Sequence, residues 1–261
     1  MILELSNICL SFTRNSEEPF KILDRVNLTV HKGKVTALIG GNGAGKTTLF
    51  NIISGFQTGF TGEIYLNSKS ISDLKPYQIA RAGIGRLFQD KQLMPDLTLL
   101  ENMKIGSNDH SGELPFAYLF QKKKINKMEA EKEEKAINIL NKLFGKKNKY
   151  VSMLHHKASN LSYGEQRLIG LARLLMGDYT VLLLDEPTAG VNIVYLDIIK
   201  DTILKMIKEE QLSILLIEHN INFVSKCADY CAFLNEGVIH YQGTSNEVLN
   251  NHEIRNSYLG I

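Results

Sequence analysis

Two segments near the N-terminus alternate apolar and polar residues, a pattern typical of strands that bury one face. They are LELSNICLSF, which begins at Leu3, and KILDRVNLTV, which begins at Lys21, and the polar stretch 13–19 separates them. This pattern predicts an antiparallel pair that leads into the next strand of the chain. A further short strand is predicted at GEIYLN, residues 62–67.

Continuous apolar runs then follow, and such runs are typical of parallel strands buried on both faces. They are KVTALI (34–39), VLLLD (181–185) and SILLI (213–217), with a short strand also predicted at 84–88. Apolar residues at helical spacing predict helices at 48–54, 76–81, 162–176 and 193–208. The tail predicts a hairpin at 230–242, turning at 235–237, and a short helix near 246–250. Strands that alternate with helices indicate an α/β fold.

Residues 90–158 have a different character and predict a helical insert in the α/β core. Lysine and glutamate dominate at 122–124 and 131–135, and the apolar residues Ile137, Leu140, Leu143 and Phe144 are spaced for one helix face. The charges indicate a solvated face, with an approach to anionic lipid headgroups as the alternative if the partner is a membrane protein.

The loop between the predicted strand 34–39 and the predicted helix 48–54 fits the phosphate-loop pattern of glycine, four residues, then Gly-Lys-Ser/Thr. Its glycines let backbone N–H groups approach an anion, and the helix N-terminus adds free amides and a positive dipole end. Lys46 would reach the β- and γ-phosphates of a nucleotide, and the Thr47 hydroxyl would bind Mg²⁺. The candidate nucleotide-binding residues are Gly40, Gly41, Asn42, Gly43, Ala44, Gly45, Lys46, Thr47 and Thr48.

Two adjacent carboxylates, Asp185 and Glu186, end the buried run VLLLD. At this edge of a sheet, Asp185 can hold the Mg²⁺ that Thr47 also binds, while Glu186 can orient or deprotonate a water facing the γ-phosphate. The alternative is a buried ion pair or a loop cap.

Other polar and aromatic residues also lie at element ends. Gln89 and His219 each follow a predicted strand, where ligands bind in α/β sheets, although a satisfied loop amide and a structural histidine are the alternatives. Phe12 is either a nucleotide-stacking aromatic or a core residue. Ser162 and Glu165 form a capping box, so that Ser162 and Gly164 mark either a second anion site or a plain helix start.

Composition narrows the classes of protein. A chain of 261 residues can bury a large core, as one α/β domain or a core with a sub-domain. The net charge of +2 does not indicate nucleic acid. No apolar run approaches the ~18 residues of a membrane span, and the N-terminus lacks a signal-peptide pattern, so the chain is expected to stay in the cytoplasm. Cys9, Cys227 and Cys231 are expected to be reduced, buried thiols, with a zinc site as the alternative.

Six motifs occur in the order that ATP-binding cassettes show: Phe12, GGNGAGKT, Gln89, LSYGEQ, VLLLDE and His219. The chain therefore resembles the nucleotide-binding subunit of an ABC transporter over nearly its whole length. The resemblance implies a P-loop NTPase core with an antiparallel β sub-domain and a helical sub-domain. It implies one domain over residues 1–261, with the helical sub-domain at about 90–175.

The resemblance also implies roles for single residues. Phe12 matches the adenine-stacking aromatic, and Gln89 matches the glutamine that couples the site to the membrane partner and is counted among the catalytic and metal-binding residues. Glu186 matches the catalytic base and His219 the switch histidine. Ser162 and Gly164 match the signature loop, which binds the γ-phosphate across a head-to-tail dimer with two ATP molecules at its interface.

Among ABC subunits, the chain looks most like the ATPases of branched-chain amino acid importers. The matching segments are GIGRLFQ, LTLLENM, LSYGEQ, AGVN and the closing SYLGI. Urea importers and the ATPase of lipopolysaccharide export share such features and stay open, and a soluble ABC ATPase acting on nucleic acid is the rival class. The sequence departs from the family pattern at Tyr163, where a second signature glycine is usual, and at Asn192, where most cassettes carry an aspartate.

The resemblance implies the partners as well. They are a second ABC ATPase subunit, in a homodimer or a heterodimer, an integral membrane permease and, for an importer, a periplasmic substrate-binding protein. Nucleic acid is not expected. The chain would lie on the cytoplasmic face of the membrane, and the segment from Asp90 to Met103, near Leu97 and Leu100, is expected to meet the permease.

Overall fold

The computed structural model describes residues 1–12, 20–89, 93–108 and 117–254. The predicted turn at 13–19, Asp90 at the start of the predicted insert and the closing SYLGI segment at 257–261 lie outside the described residues.

The described residues form ten strands in two sheets. In chain order they are β1 (Leu3–Phe12), β2 (Phe20–Val30), β3 (Val35–Ile39), β4 (Thr61–Leu66), β5 (Lys69–Ser70), β6 (Ile84–Leu87), β7 (Val181–Asp185), β8 (Ser213–Ile217), β9 (Tyr230–Asn235) and β10 (Val238–Thr244).

The described helices lie between these strands and after them. They are α1 (Lys46–Ile53), α2 (Pro76–Ala82), α3 (Leu99–Ile105), α4 (Ala117–Phe144), α5 (Lys149–Ser152), α6 (Tyr163–Leu174), α7 (Ile193–Glu210), α8 (Ile221–Cys227), α9 (Ser245–Leu249) and α10 (His252–Ile254).

The smaller sheet is antiparallel and has the order β2-β1-β4-β5. Its strands alternate as the sequence predicts, and Leu3, Leu5, Ile8 and Leu10 of β1 are all buried. The β1–β2 ladder runs from the pair Leu3–Val30 to the pair Phe12–Phe20, and register shifts interrupt it. The predicted antiparallel pair is therefore confirmed, with β4 added on the other edge of β1.

The larger sheet has the order β10-β9-β3-β8-β7-β6 and carries the continuous apolar runs. Strands β9, β3, β8, β7 and β6 pair in parallel, whereas β10 pairs with β9 in the predicted hairpin. All residues of β3, β7 and β8 are buried, which agrees with strands covered on both faces. The parallel pairing brings the carboxyl ends of β6, β7 and β8 to one edge of the sheet.

Helices α3, α4 and α6 pack together. Helices α3 and α4 lie within the predicted helical insert, and α6 follows the insert. Leu140 and Leu143 of α4 are buried, while Ile137 and Phe144 are partly buried against the same cluster. Leu100 of α3 is only 6% exposed, so its side chain stabilises this core, whereas Leu97 is half-buried. Contact between the segment 90–103 and the permease stays a prediction, because the burial of one leucine does not decide what the rest of the segment contacts.

The cysteines are free, with Cys227 and Cys231 buried and Cys9 half-buried, so burial was wrongly expected for Cys9. Burial raises the pKa of the Cys227 thiol to about 12 and that of Cys231 to about 11, which keeps both thiols protonated and unreactive. Within the described ranges, no three His, Cys, Asp or Glu side chains lie close enough together to hold a metal ion among themselves. None of the described helices has the length and apolarity to cross a membrane.

Candidate functional site

The predicted phosphate loop lies between β3 and α1, where it connects a buried strand to a helix N-terminus. Gly40 and Gly45 have φ angles of 155° and 101°, which disfavour residues with a side chain. A Cβ at Gly40 would lie 2.0 Å from the Leu234 carbonyl oxygen, and one at Gly45 would lie 2.8 Å from Leu23 Cδ2. Glycine is therefore required here by the packing of the loop against both sheets.

Lys46 begins α1 and is buried beneath the loop. Its ammonium group donates hydrogen bonds to the carbonyl oxygens of Gly40 and Gly41, at 2.8 and 2.7 Å. Burial lowers the pKa of Lys46, while the negative charges of Glu186 and Asp185 act in the opposite direction. The Lys46 ammonium thus places one positive charge directly against the backbone of the loop.

A cleft of about 590 Å³ opens above this loop. The residues that line it come from β2, the phosphate loop, two strand ends and the turn between β9 and β10. They are Phe20, Lys21, Ile22, Asn42, Gly43, Ala44, Gly45, Lys46, Thr47, Thr48, Glu186, His219, Glu236 and Gly237. The structure thus brings most of the predicted phosphate-loop residues together with Glu186 and His219.

Phe12 ends β1 and pairs with Phe20 of β2. Phe12 is 48% exposed, which rules out the core alternative for this residue, and Phe20 is 72% exposed. Of the two rings, Phe20 lines the cleft. Sequence reasoning missed Phe20 because it follows the polar stretch 13–19 and precedes the alternating segment.

The Glu186 carboxylate is held between two side chains from neighbouring strand ends. Gln89 Nε2 donates to Glu186 Oε2 at 2.8 Å, and His219 Nε2 lies 2.9 Å from Glu186 Oε1. The three residues follow β6, β7 and β8, whose parallel pairing places their ends side by side. A carboxylate fixed at both oxygens beside the cleft is positioned to accept a proton from a water molecule.

Asp185 precedes Glu186 and forms a buried ion pair with Arg86 of β6, with Nη2 and Oδ2 3.0 Å apart. Arg86 Nη1 also donates to Asn51 Oδ1 and Ser54 Oγ, at 2.8 Å each. Burial raises the pKa of Asp185, and the Arg86 guanidinium opposes that shift. The ion-pair alternative for Asp185 is therefore realised, and it leaves the second oxygen, Oδ1, buried without a hydrogen-bond partner.

Glu218 is a buried carboxylate that sequence reasoning left without a role. Its Oε1 accepts from the Thr188 backbone N–H at 2.9 Å and from the Thr188 hydroxyl at 2.6 Å, and its Oε2 accepts from the His219 N–H at 3.1 Å. Burial raises the pKa of Glu218, while these hydrogen bonds oppose the shift. The residue ties the segment after Glu186 to the segment that carries His219.

The predicted capping box is present at α6: Ser162 Oγ accepts from the Glu165 N–H at 3.4 Å, and Glu165 Oε2 accepts from the Ser162 N–H at 2.7 Å. A Cβ at Gly164 would lie 2.6 Å from the ring of Tyr195, whose hydroxyl is 3.2 Å from Ser162 Oγ. Neither Ser162 nor Gly164 is among the described residues that line the cleft. Within one chain, the structure therefore does not bring this loop to the phosphate loop.

The two departures from the family pattern have local roles. The Asn192 side chain accepts from the Val194 N–H at 3.1 Å, so it caps α7 as an aspartate would. The ring of Tyr163 lies against Gly190, where an added Cβ would be 3.3 Å from the ring.

Comparison with known proteins identifies the family of the chain. A family model described as "ABC transporter" matches residues 23–189. The high-affinity branched-chain amino acid transport ATP-binding protein BraF of Pseudomonas aeruginosa is 33% identical over 99% of this chain and 98% of its own length. The corresponding protein LivG of Escherichia coli is 32% identical over 91% of each chain.

Solved structures agree with the sequence relatives. A crystal structure of an ATP-binding cassette of an ABC transporter in its ADP conformation has a TM-score of 0.81 and 34% identity, and covers 100% of this chain and 99% of that chain. A dimeric bacterial ABC transporter cassette has a TM-score of 0.73 at 23% identity and shows the shared fold. From the motifs, the fold and these matches, the chain belongs to the ABC transporter family, as a nucleotide-binding subunit that hydrolyses ATP.

Proposed function

We propose that this chain drives the import of branched-chain amino acids by hydrolysing ATP beneath a membrane permease. The relatives that match nearly the full chain carry the names of branched-chain amino acid transport ATP-binding proteins, which supports this substrate class. We propose one ATP-binding domain over residues 1–261, with a helical sub-domain at about 90–175, on the cytoplasmic face of the membrane.

The nucleotide phosphates would lie on the phosphate loop, within reach of Lys46 and the amides of Gly41 to Thr48. Free N–H groups at a helix N-terminus bind phosphate oxygens, and the buried lysine offsets charge on the β- and γ-phosphates. The adenine would stack on an exposed aromatic ring at the place where β1 ends and β2 begins. Phe12 is the residue that the family pattern favours for this role, and its strand partner Phe20 adds a ring that lines the cleft.

The residues around Asp185 fit a magnesium ion. Asp185 Oδ1 is buried without a hydrogen-bond partner, and the Gln89 amide nitrogen is turned to Glu186, which leaves its oxygen for another contact. Together with the Thr47 hydroxyl, these are the oxygen ligands that Mg²⁺ prefers. When bound, the ion would neutralise charge on the β- and γ-phosphates.

In the proposed reaction, Glu186 takes a proton from the attacking water, and His219 donates a hydrogen bond to the transferring phosphate. The single observation that carries this assignment is the Glu186 carboxylate, held at both oxygens by Gln89 and His219 beside the cleft.

The proposed assembly is a head-to-tail dimer of this chain with a second copy or a related subunit. Ser162 and Gly164 head α6 and do not line the cleft of their own chain, so in this assembly they would bind the γ-phosphate held by the other chain. A periplasmic substrate-binding protein would deliver the amino acid to the permease. Nucleic acid has no part in the proposed function.

Replacing Glu186 with glutamine tests the proposal. An amide holds a water molecule but cannot take its proton, so Glu186→Gln should lower ATP turnover by about 100-fold or more while ATP affinity stays close to that of the wild type. Glu134→Gln, an exposed acid of α4, is the matched control and should hydrolyse ATP normally.

Transport is measured in the same comparison. In cells that lack the gene for this chain, the wild-type protein should restore uptake of labelled leucine, isoleucine and valine, and Glu186→Gln should not. Full turnover by Glu186→Gln would contradict the catalytic assignment, whereas restored uptake of urea in place of the amino acids would contradict the substrate.

A further inference from the structure

Arg167 of α6 is 0% exposed and is the largest fully buried side chain of the described residues. A buried charge is expensive unless hydrogen bonds compensate for it, so the contacts that the Arg167 guanidinium makes are the ones to examine. Arg167 directly follows the LSYGEQ motif and is not one of its residues.

The guanidinium group bridges two backbone carbonyls at the edge of the larger sheet. Arg167 Nη1 donates to the Phe88 carbonyl oxygen, and Nη2 donates to the Glu186 carbonyl oxygen, both at 3.1 Å. Phe88 directly precedes Gln89. One planar group therefore fixes the backbone beneath both Gln89 and Glu186, the two side chains that hydrogen-bond each other.

The backbone of Glu186 needs such support. Its φ angle is 46°, in the left-handed region, which costs a non-glycine residue of order 1–3 kcal/mol unless the surroundings fix it. Its N–H donates to the Ile217 carbonyl at 3.0 Å, and its carbonyl also accepts from the Ala189 N–H at 3.1 Å. Among the described backbone hydrogen bonds of Glu186, the one from Arg167 comes from a helix, α6, whereas the other two come from the neighbouring strand and from the loop that follows.

We propose that Arg167 is a positioning residue for ATP hydrolysis, which holds the Glu186 and Gln89 backbones so that the Glu186 carboxylate faces the attacking water. This inference rests on the proposed role of Glu186 as the base. Because α6 begins next to Ser162, the same helix carries both the signature loop and the group that positions the base.

The test compares Arg167→Lys with Arg167→Gln. Lysine keeps the charge but has a single ammonium in place of the planar fork, and glutamine can donate to only one of the two carbonyls at a time without the charge. Displacing a catalytic group by about 1 Å can cost up to about 100-fold in rate. We therefore expect kcat to fall by about 10-fold to 100-fold in both variants, with less loss in Arg167→Lys, while the KM for ATP changes less than about 3-fold.

The matched control is Arg173→Lys. Arg173 lies on the same helix and is half-buried, but it packs against Gly106 and not against either carbonyl. Urea unfolding of each variant shows how much protein is folded under assay conditions. A kcat that is unchanged, or that falls only in proportion to the folded fraction, would overturn the proposal, as would a higher KM with normal kcat.

A double-mutant cycle separates positioning from a merely structural role. If Arg167 acts through Glu186, the single-turnover rate of Arg167→Lys with Glu186→Gln should equal that of Glu186→Gln alone, because the base is already absent. Two losses that multiply would overturn the inference and leave the base assignment intact. Full activity of Glu186→Gln alone would overturn the base assignment, and the inference with it.

Discussion

At the scale of single residues, the charges around Asp185 constrain the site most strongly. Asp185 and Arg86 are both almost fully buried, and the ring of Phe88 lies 4.5 Å from the Arg86 guanidinium carbon. Breaking a buried ion pair by removing one partner leaves an uncompensated charge, which costs about 3–5 kcal/mol. The site therefore depends on a residue that contacts neither the phosphate loop nor the Glu186 carboxylate in the described hydrogen bonds.

Arg86→Met tests this dependence. Methionine fills much of the same volume but leaves Asp185, Asn51 and Ser54 without the donors they now have. The free energy of unfolding, measured with urea, should fall by about 3–5 kcal/mol.

Arg25→Met is the control for this variant. Arg25 pairs with Asp24 at 3.5 Å on the surface, and exposed pairs contribute about 0–1 kcal/mol. Equal losses in the free energy of unfolding of the two variants would show that the buried ion pair contributes no more to stability than the exposed one.

The sequence predicts the acids of the site better than the arginines. Asp185 and Glu186 are predictable because two carboxylates end an apolar run, and the end of a buried strand is where ligands bind. Arg86 and Arg167 sit inside a strand and a helix, where a lone arginine is usually a surface charge. Their partners lie 99 and 19 positions away along the chain, and only the tertiary fold brings them together.

At the scale of elements, local sequence signals predict whether a segment forms a strand or a helix better than they predict which strands pair. The strand at Ser213–Ile217 and the capping box at Ser162 match the structure because each depends on a few neighbouring residues. The short helix Ile221–Cys227 was missed, since seven residues give little periodicity, although Asn220 caps it. The sheet order that places β3 between β8 and β9 cannot be read from such local patterns.

The loop after α1 offers a surface that fits the proposed permease contact. Phe56 is 61% exposed, and its ring packs edge-on against Phe88 with the centroids 5.5 Å apart. Phe88 directly precedes Gln89, so a partner that binds Phe56 would lie one side chain from the residue that holds Glu186.

Phe56→Glu should therefore uncouple transport from hydrolysis. The charge would weaken an apolar contact with the permease, so amino acid uptake should fall at least 10-fold, while the ATPase rate of the purified chain stays within about 2-fold. Leu204→Glu on α7 is the control, because that side chain is also exposed, and uptake should be normal. Parallel loss of uptake and of purified ATPase activity would mean that Phe56 supports the fold of the chain instead.

At the scale of the whole molecule, the described cleft contains only some of the residues that are predicted to bind ATP. The phosphate loop, Glu186 and His219 line it, whereas Ser162 and Gly164 lie at the head of α6 and do not. The family pattern predicts both sets of residues from sequence, but which chain completes which site is a property of the assembly. We propose that one ATP binds between the phosphate loop of one chain and the Ser162 loop of another, which favours the closed dimer.

Cross-linking between two differently tagged copies tests this claim most directly. One copy carries Ser162→Cys and the other Asn42→Cys, both in a background of Glu186→Gln, to retain ATP, and Cys9→Ser, since Cys227 and Cys231 are buried. With a short bismaleimide, we predict a cross-link between the two tags that requires ATP and is absent when either cysteine is omitted. An ATP-bound sample that yields no such product, or a cross-link that forms within a single dilute chain carrying both cysteines, would contradict the account.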